Sequence, residues 1–397
     1  MRIISRASVT VAAGVAVALA GGLTALAVSH GHTAQASTAN AAAAAGHVTP
    51  TSLRVRSVSP ADGTSGVSGT STITVTYDQP VPAGTAFPRL SPDIPGSWQR
   101  SGDSLMFRPA TGFAESTRVR VHATESDDGK RAGYASAFTT GRYSTLRLQE
   151  VLAELGYLPL TWRPAVGAAV PEHDAAAQLA AAYTPPPGTF TRRNGYPGSM
   201  YGFWQQGSAN VMDSGAIAGF EDDHGLAVNG DASPAVWAAL LKAAASGDKA
   251  SHGYSYAIAS ESSPESLTIW HDGRQVFYSP ANTGIPQAPT ALGTFFVYEK
   301  LPFQIMQGTN PDGSAYSDPV EWVSYFNGGD AVHYFPRGSY GWPQSLGCVE
   351  LPWSTAEEAY GDLPYGTMVT VAPLVHARRP LRRMARRPLP RLTRRCG

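Results

Sequence analysis

Between Leu53 and Gly141, polar and apolar residues alternate along several short segments. Residues 72–77 (Thr-Ile-Thr-Val-Thr-Tyr), 105–107 and 119–121 follow this period of two, which places successive side chains on opposite faces of a β-strand. Gly, Pro and Asp-Gly pairs separate the segments and mark turns. Short strands at this spacing predict a β-sandwich for residues 51–141.

From Tyr143 onward the period becomes that of a helix. Three helical segments are predicted, at residues 146–155, 217–220 and 235–241. Gly156 ends the first segment, because glycine readily adopts the left-handed conformation that terminates helices. The Pro-rich and Ala-rich stretch 159–210 is interpreted as a long insertion. Together these features predict a small three-helix unit over residues 142–246.

Alternation returns after residue 250. Strands are predicted at residues 254–259, 266–270, 275–278, 293–298 and 332–335. Asp272-Gly273 marks a hairpin turn between two of these strands. The fold class is therefore predicted as mainly β and multidomain, with a β-sandwich, a small helical unit and a β-rich C-terminal domain over residues 251–373.

The N-terminus has the three parts of a secretory signal. Arg2 and Arg6 precede an apolar run from Val9 to Val28, and Ala-Gln-Ala follows at residues 34–36. We predict a signal peptide over residues 1–36. The apolar run is about 20 residues long, which would also suit an uncleaved membrane anchor. Either alternative predicts an exported protein.

Charge is distributed unevenly along the chain. Residues 376–397 carry nine arginines and no acidic residue. When these and the two arginines of the signal are left out, the rest of the chain has 19 basic and 30 acidic residues. Nucleic-acid binding is disfavoured, because it requires a basic face on a folded domain.

The Ala/Thr-rich spacer 37–50 and the tail 374–397 are predicted to be disordered. The tail could bind an anionic wall polymer, or could arise from out-of-frame translation.

The chain has two cysteines, Cys348 and Cys396. One interpretation is a disulfide between them, which would suit a disulfide-linked adhesin. The alternative is a functional thiol at Cys348, which needs a base to become a nucleophile, and His333 lies fifteen residues upstream. Gly347 would allow a tight turn that directs backbone amides toward an oxyanion. We therefore predict a Cys348–His333 catalytic pair.

The two N-terminal regions resemble known modules. Residues 51–141 resemble bacterial Ig-like domains, through Val58-Ser-Pro-Ala-Asp-Gly63, the strand ending at Pro80, Trp98, and Phe138-Thr-Thr-Gly141. Residues 142–246 resemble the three-helix peptidoglycan-binding module. That resemblance is carried by residues 148–158, residues 220–230 and Trp237.

The C-terminal domain resembles the L,D-transpeptidase (YkuD-type) catalytic domain of the bacterial cell wall. The shared pieces are Asp272-Gly-Arg274, Thr283-Gly284, residues 289–297, His333 and the block Ser-x-Gly-Cys-Val at residues 345–349. The resemblance implies that Cys348 is the nucleophile and His333 the general base. Ser345 would orient His333 or the substrate, and the Gly347 N–H would bind the oxyanion. Substrate contacts are predicted at Tyr334, Trp342, Glu350, Thr283 and Gly284.

Two positions depart from the family pattern. Leu346 stands where a histidine is usual, and Glu350 stands where Asn or Arg is usual. A carboxylate near Cys348 would raise the pKa of the thiol, so Glu350 is expected to point away or to bind a cationic group of the substrate.

The resemblance implies a secreted monomer that cross-links peptidoglycan stem peptides (3→3) through a thioester and releases D-Ala, with no metal or cofactor. The alternatives are an L,D-carboxypeptidase that uses water as acceptor, and a non-catalytic wall-binding protein.

Overall fold

The computed structural model describes residues 52–127, 130–171 and 173–373. The predicted signal peptide or anchor, the spacer and the Arg-rich tail lie outside the described residues. Within those ranges no helix combines the length and the apolar character needed to cross a membrane.

Residues 55–139 form the predicted β-sandwich. Its seven strands are β1 (Val55–Ser59), β2 (Ile73–Tyr77), β3 (Arg89–Ser91), β4 (Gly96–Ser101), β5 (Ser104–Pro109), β6 (Arg118–Asp127) and β7 (Lys130–Thr139). One sheet has the order β1-β2-β5-β4 and the other β3-β6-β7. Alternation in β2 buries Ile73, Val75 and Tyr77 between the sheets, as the period of two predicts.

The helical region, residues 142–246, contains more structure than predicted. Its helices are α1 (Thr145–Leu155), α2 (Ala175–Tyr183), α3 (Val211–Asp223) and α4 (Pro234–Ser246), and its hairpin is β8 (Leu160–Pro164) with β9 (Gly188–Arg192). Helices α1, α3 and α4 confirm the three predicted segments. The stretch 159–210 is not a simple insertion, because it supplies α2 and the hairpin.

Helix α2 is tied firmly to the rest of the helical region. The Asp174 carboxylate caps it by accepting hydrogen bonds from the N–H groups of Ala176 and Ala177. Arg147 of α1 donates to the side chain of Gln178 at 2.9 Å. An Asp followed by an Ala-rich run was the sequence signal for this helix, but the surrounding prolines obscured it.

Two sheets and one helix make up the C-terminal domain. The strands are β10 (Ser255–Ser260), β11 (Ser266–His271), β12 (Arg274–Pro280), β13 (Gly293–Phe296), β14 (Glu299–Thr309), β15 (Ala315–Asn327), β16 (Asp330–Tyr334), β17 (Val349–Leu351) and β18 (Met368–Ala372); the helix is α5 (Trp353–Asp362). Strand orders are β12-β11-β10-β18-β13 and β14-β15-β16-β17. Buried residues of both sheets and of α5 share one apolar core.

The start of α5 differs from expectation. Ser354 looks like the first residue of a capping box with Glu357, but the helix begins at Trp353 and no side chain caps it. Pro352 occupies the cap position with φ −66°. The cap position is thus two residues earlier than Ser354, and the Pro352 carbonyl accepts the first helical hydrogen bond, from the Ala356 N–H at 3.1 Å.

The helical region packs directly on the C-terminal domain. Tyr256 of β10 and Met368 of β18 belong to the same apolar cluster as the buried residues of α1, α3 and α4. Gly215 of α3 lies against the turn at Gly366, where a Cβ added to Gly215 would come within 2.6 Å of the Gly366 carbonyl oxygen. The two regions therefore share a core.

Candidate active site

Strands β16 and β17 run parallel and bring the two predicted catalytic residues to one cleft. His333 is paired with Glu350 in this register, and Val332 with Val349. Because successive residues of a strand face opposite sides, Val332 enters the apolar core while His333 faces the cleft. Cys348 lies immediately before β17 and faces the same cleft. The structure thus brings His333 and Cys348, the pair predicted from the sequence, into the same cleft.

The cleft has a volume of about 210 Å³. The long hairpin β14–β15 forms one wall, and the segment from β16 to β17 forms the other. Its lining residues are Met306, Asn310, Tyr316, Asp318, Val320, His333, Phe335, Arg337, Gln344, Ser345, Leu346, Cys348 and Glu350. Leu346, at the position of the usual histidine, makes this part of the wall apolar.

His333 is poised to accept a proton. Its side chain is only 3% exposed, and its Nδ1 lies 2.8 Å from the carbonyl oxygen of Tyr334. A carbonyl can only accept, so Nδ1 carries the hydrogen and Nε2 of the neutral ring keeps a free lone pair. Burial lowers the pKa of His333 below its usual value. The imidazole is therefore neutral near pH 7.

Cys348 is a free, half-buried thiol. Its Sγ donates to the carbonyl oxygen of Gly329 at 3.6 Å, rather than to His333. Dense packing around the sulfur raises the thiol pKa to about 12; the charges of Asp330 and Glu350 add to this, and a hydrogen bond from the Ala331 backbone opposes it. The thiol is therefore protonated at neutral pH, so nucleophilic attack requires a base.

The raised pKa of Cys348 gives a direct chemical expectation. In a Cys396→Ser background, the rate of Cys348 alkylation by iodoacetamide should rise about tenfold per pH unit from pH 7 to 10 without levelling off, since the rate follows the thiolate fraction. A cysteine-containing peptide, with an ordinary thiol pKa, serves as the control. Mass spectrometry of timed samples measures both rates. A plateau below pH 10 for Cys348 would contradict the assigned pKa.

Ser345 and Gly347 shape the turn that holds Cys348. The Ser345 hydroxyl donates to the Cys348 carbonyl at 2.5 Å and accepts from the Gly347 N–H at 3.2 Å. Ser345 thus orients the cysteine turn instead of His333, and the Gly347 N–H is engaged by Ser345 in this state. Gly347 has φ +123°, and a Cβ there would lie 2.6 Å from Oδ1 of Asp330. Only glycine fits this position without strain.

Thr283 and Gly284 support the site from behind and do not line the cleft. The N–H and hydroxyl of Thr283 both donate to the buried carboxylate of Glu265, at 2.7 and 2.9 Å. The Thr283 carbonyl accepts the N–H of Ser345 at 3.0 Å. The Gly284 N–H donates to the Thr290 hydroxyl at 2.8 Å. These polar groups therefore have partners within the protein, and the predicted substrate contacts of Thr283 and Gly284 stay predictions.

Two aromatic residues predicted to bind substrate lie elsewhere. Tyr334 follows His333 and so faces the opposite side of β16, where its ring packs edge-on against Trp353 at 5.0 Å between centroids. Trp342 is 49% exposed and lies outside the set of cleft-lining residues. Neither side chain lines the cleft that holds His333 and Cys348, so their contacts with substrate stay predictions.

Glu350 lies at the cleft but is not free to bind a cationic substrate group. Arg337 donates to it through Nε at 2.8 Å and through Nη2 at 2.6 Å. Asn282 donates to the same carboxylate at 3.3 Å. This two-point ion pair satisfies a nearly buried charge. The negative charge that Glu350 brings to this position is thus neutralised by Arg337 of the same chain.

Sequence reasoning missed several residues that build the site. Glu265 holds Thr283, whose carbonyl accepts from the Ser345 N–H. Asn282 pairs with Glu350, and Asp330 accepts from the Ala291 N–H. An isolated acid or amide has no distinctive pattern in a sequence. Arg337 could have been found. It lies four residues after His333, in the loop that leads toward Glu350, and a buried carboxylate requires a partner.

Comparison with known proteins assigns the two β-rich parts of the chain. Residues 255–371 match YkuD, the L,D-transpeptidase catalytic domain, and residues 49–140 match Big_5, a bacterial Ig-like domain. The fold and the site therefore define an enzyme with the catalytic domain of an L,D-transpeptidase preceded by a bacterial Ig-like domain. The helical region falls between the two matches, so its peptidoglycan-binding character stays a prediction.

Solved L,D-transpeptidase structures align with the chain at low overall similarity. One from Mycobacterium smegmatis is 16% identical, with 81% of this chain and 99% of that chain covered and a TM-score of 0.28. L,D-transpeptidase 3 from Mycobacterium tuberculosis has 16% identity, coverage of 80% and 98%, and a TM-score of 0.28. The catalytic domain of the E. faecium enzyme has 27% identity, coverage of 30% and 95%, and a TM-score of 0.28. No curated protein matches. At such TM-scores the assignment rests on the match of residues 255–371.

Proposed function

We propose that the protein cross-links peptidoglycan stem peptides by cysteine-dependent acyl transfer outside the cytoplasmic membrane. The observation that carries this proposal is the arrangement of His333 and Cys348 in one cleft of an L,D-transpeptidase catalytic domain. His333 is neutral with Nε2 available, and Cys348 is a thiol that needs a base. These two states are complementary.

In the proposed first half-reaction, the S–H of Cys348 turns from Gly329 toward Nε2 of His333, which takes the proton. Sγ attacks the carbonyl carbon of the third residue of a tetrapeptide stem and forms a tetrahedral oxyanion. His333 then returns the proton to the nitrogen of the terminal D-Ala as the C–N bond breaks. D-Ala leaves, and the stem remains on Cys348 as a thioester.

In the second half-reaction, His333 removes a proton from a side-chain amine of another stem. The amine attacks the thioester carbonyl, the C–S bond breaks, and Cys348 regains its proton through His333. The product is a 3→3 cross-link. With water as the acceptor, the same steps would release a tripeptide, as in an L,D-carboxypeptidase.

The deciding experiment is incubation of the secreted protein with purified tetrapeptide muropeptides, followed by mass spectrometry. Loss of D-Ala together with dimers is expected. Tripeptide monomers without dimers would indicate a carboxypeptidase. Unchanged substrate, from protein shown to be folded by circular dichroism, would refute acyl transfer and favour the non-catalytic wall-binding alternative.

A further inference from the structure

Strand β14 lies at the end of its sheet and has one unpaired edge. It is 11 residues long, and in the order β14-β15-β16-β17 it is paired on one side only, with β15. The antiparallel ladder with β15 has no register shift from Glu299 to Thr309. The opposite edge of β14, here called the β14 edge, is therefore a long row of main-chain groups without a bulge.

A hydrogen bond at the hairpin turn shows which amides of β14 face outward. The Asn310 N–H donates to the Ser314 carbonyl oxygen at 2.7 Å, so these two residues form a hydrogen-bonded pair. Hydrogen-bonded and non-hydrogen-bonded pairs alternate along an antiparallel ladder. Residues an odd number of positions before Asn310 therefore direct their N–H and C=O groups away from β15. These outward residues are Phe303, Ile305, Gln307 and Thr309. Among the described residues, their main-chain groups have no hydrogen-bond partner on the outer side.

The β14 edge lacks the features that usually protect an exposed strand. Such strands are normally short or bulged, or they carry charged residues or an outward-facing proline. From Leu301 to Thr309 the chain has no charged residue, and the position of Pro302 in the alternation turns its missing N–H toward β15. Phe303 and Ile305 are 54% and 53% exposed, and they share one face of the strand. The edge is thus apolar, uncharged and open to pairing.

Several other edge strands in the described part of the chain are protected. Strand β17 has 3 residues and β13 has 4. Strand β1 contains Arg56 and a register shift, and β12 begins with Arg274 and ends with Pro280. Among these edges β14 is the exception.

We propose that the β14 edge binds the same edge of a second copy of the chain, in an antiparallel pair related by a two-fold axis. Two identical strands paired in this way are self-complementary, because each outward N–H of one copy meets an outward C=O of the other. The four outward residues of each copy provide about eight main-chain hydrogen bonds, which is within the range of a typical protein interface. Phe303 and Ile305 of both copies lie on the same face of the joined sheet.

Two-fold pairing gives a closed dimer. It joins two 4-stranded sheets and uses both β14 edges, which leaves the short strand β17 at each end. The axis is perpendicular to the sheet, so both clefts open on one face, with Met306 of β14 lining each of them. An edge of about seven residues buries roughly 600 Å² in all, so the dimer is weak and reversible, with a Kd on the order of tens of micromolar. It replaces the monomer that the family resemblance implies.

Sedimentation velocity of the secreted protein tests the pairing between about 1 and 200 µM, with a reductant present to exclude disulfides. The dimer fraction is expected to rise with concentration. Ile305→Lys should weaken the dimer by about tenfold or more, because it places like charges in one short interface. Val276→Lys, at a 43% exposed residue of the β12 edge, should have no effect. A protein that stays monomeric throughout overturns the proposal and leaves the edge to a strand of another protein. Equal weakening by the two variants also overturns it.

A cysteine scan locates the two-fold axis. In the Cys348→Ala/Cys396→Ser background, single cysteine substitutions at positions 304 to 308 are oxidised mildly and separated on a non-reducing gel. Only a residue beside the axis brings its two copies to the Cβ separation of about 4 Å that a disulfide needs. The yield of cross-linked dimer should therefore peak at one position and fall on both sides. Yields no higher than that of Val276→Cys at every position overturn the pairing. Neither measurement depends on acyl transfer by Cys348.

Discussion

Replacing Cys348 with alanine is expected to abolish D-Ala release, with a loss in kcat/KM of about 10⁴-fold or more, because no thioester can form. The half-buried side chain loses only one sulfur atom, so folding should be little affected. Mass spectrometry of tetrapeptide digests measures the loss. Cys396→Ser is the matched control and should retain full activity. Activity in the Cys348→Ala protein would contradict the assignment of the nucleophile.

His333 should give a smaller but distinctive loss. His333→Gln is expected to reduce kcat/KM by about 10²–10⁴-fold, the usual contribution of a general base. In the unmodified protein, burial lowers the pKa of His333, so kcat/KM should hold down to about pH 6.5 and fall only at lower pH, as the ring becomes protonated. That acid limb should be absent from the residual activity of His333→Gln. An unchanged acid limb would assign it to another group.

Breaking the Arg337–Glu350 ion pair should lower the free energy of unfolding more than the Cys348 and His333 substitutions do. In Arg337→Met the Glu350 side chain, 5% exposed, keeps only a 3.3 Å hydrogen bond from Asn282. Leaving such a charge unpaired costs about 3–5 kcal/mol in the free energy of unfolding. Urea denaturation at pH 7 measures this.

The matched control removes both charges. Arg337→Met/Glu350→Leu should recover most of the stability, because apolar replacements of a buried ion pair are often neutral or stabilising. If the single and double variants were equally unstable, the loss would come from the packing of Arg337 on Phe335 and not from the charge on Glu350.

The sequence was most informative where local pattern and chemistry agree. Alternation placed the strands of the β-sandwich and of the C-terminal domain, and the need of a thiol for a base singled out Cys348 and His333. The strand character of Val332-His333 also indicated that the histidine would end a strand. These features depend on neighbours in the chain, which a sequence displays directly.

Features that depend on contacts between distant segments were not visible. Tyr334 is adjacent to His333, yet strand geometry turns it toward Trp353. Thr283 acts through its backbone carbonyl and through Glu265, eighteen residues away. The partner of Glu350 is Arg337, thirteen residues away, which can be inferred only once Glu350 is known to be buried. In each case the role of the residue depends on the direction of its side chain or on its hydrogen-bond partners, and the fold determines both.

The close approach of Gly215 to Gly366 limits how far the catalytic domain can stand apart from the helical region. Tyr256 and Met368 are covered by the helical region, so a catalytic domain that lost that region would expose apolar surface to water. A side chain at either glycine would meet the backbone of the other, and would push the two regions apart at the surface that they share.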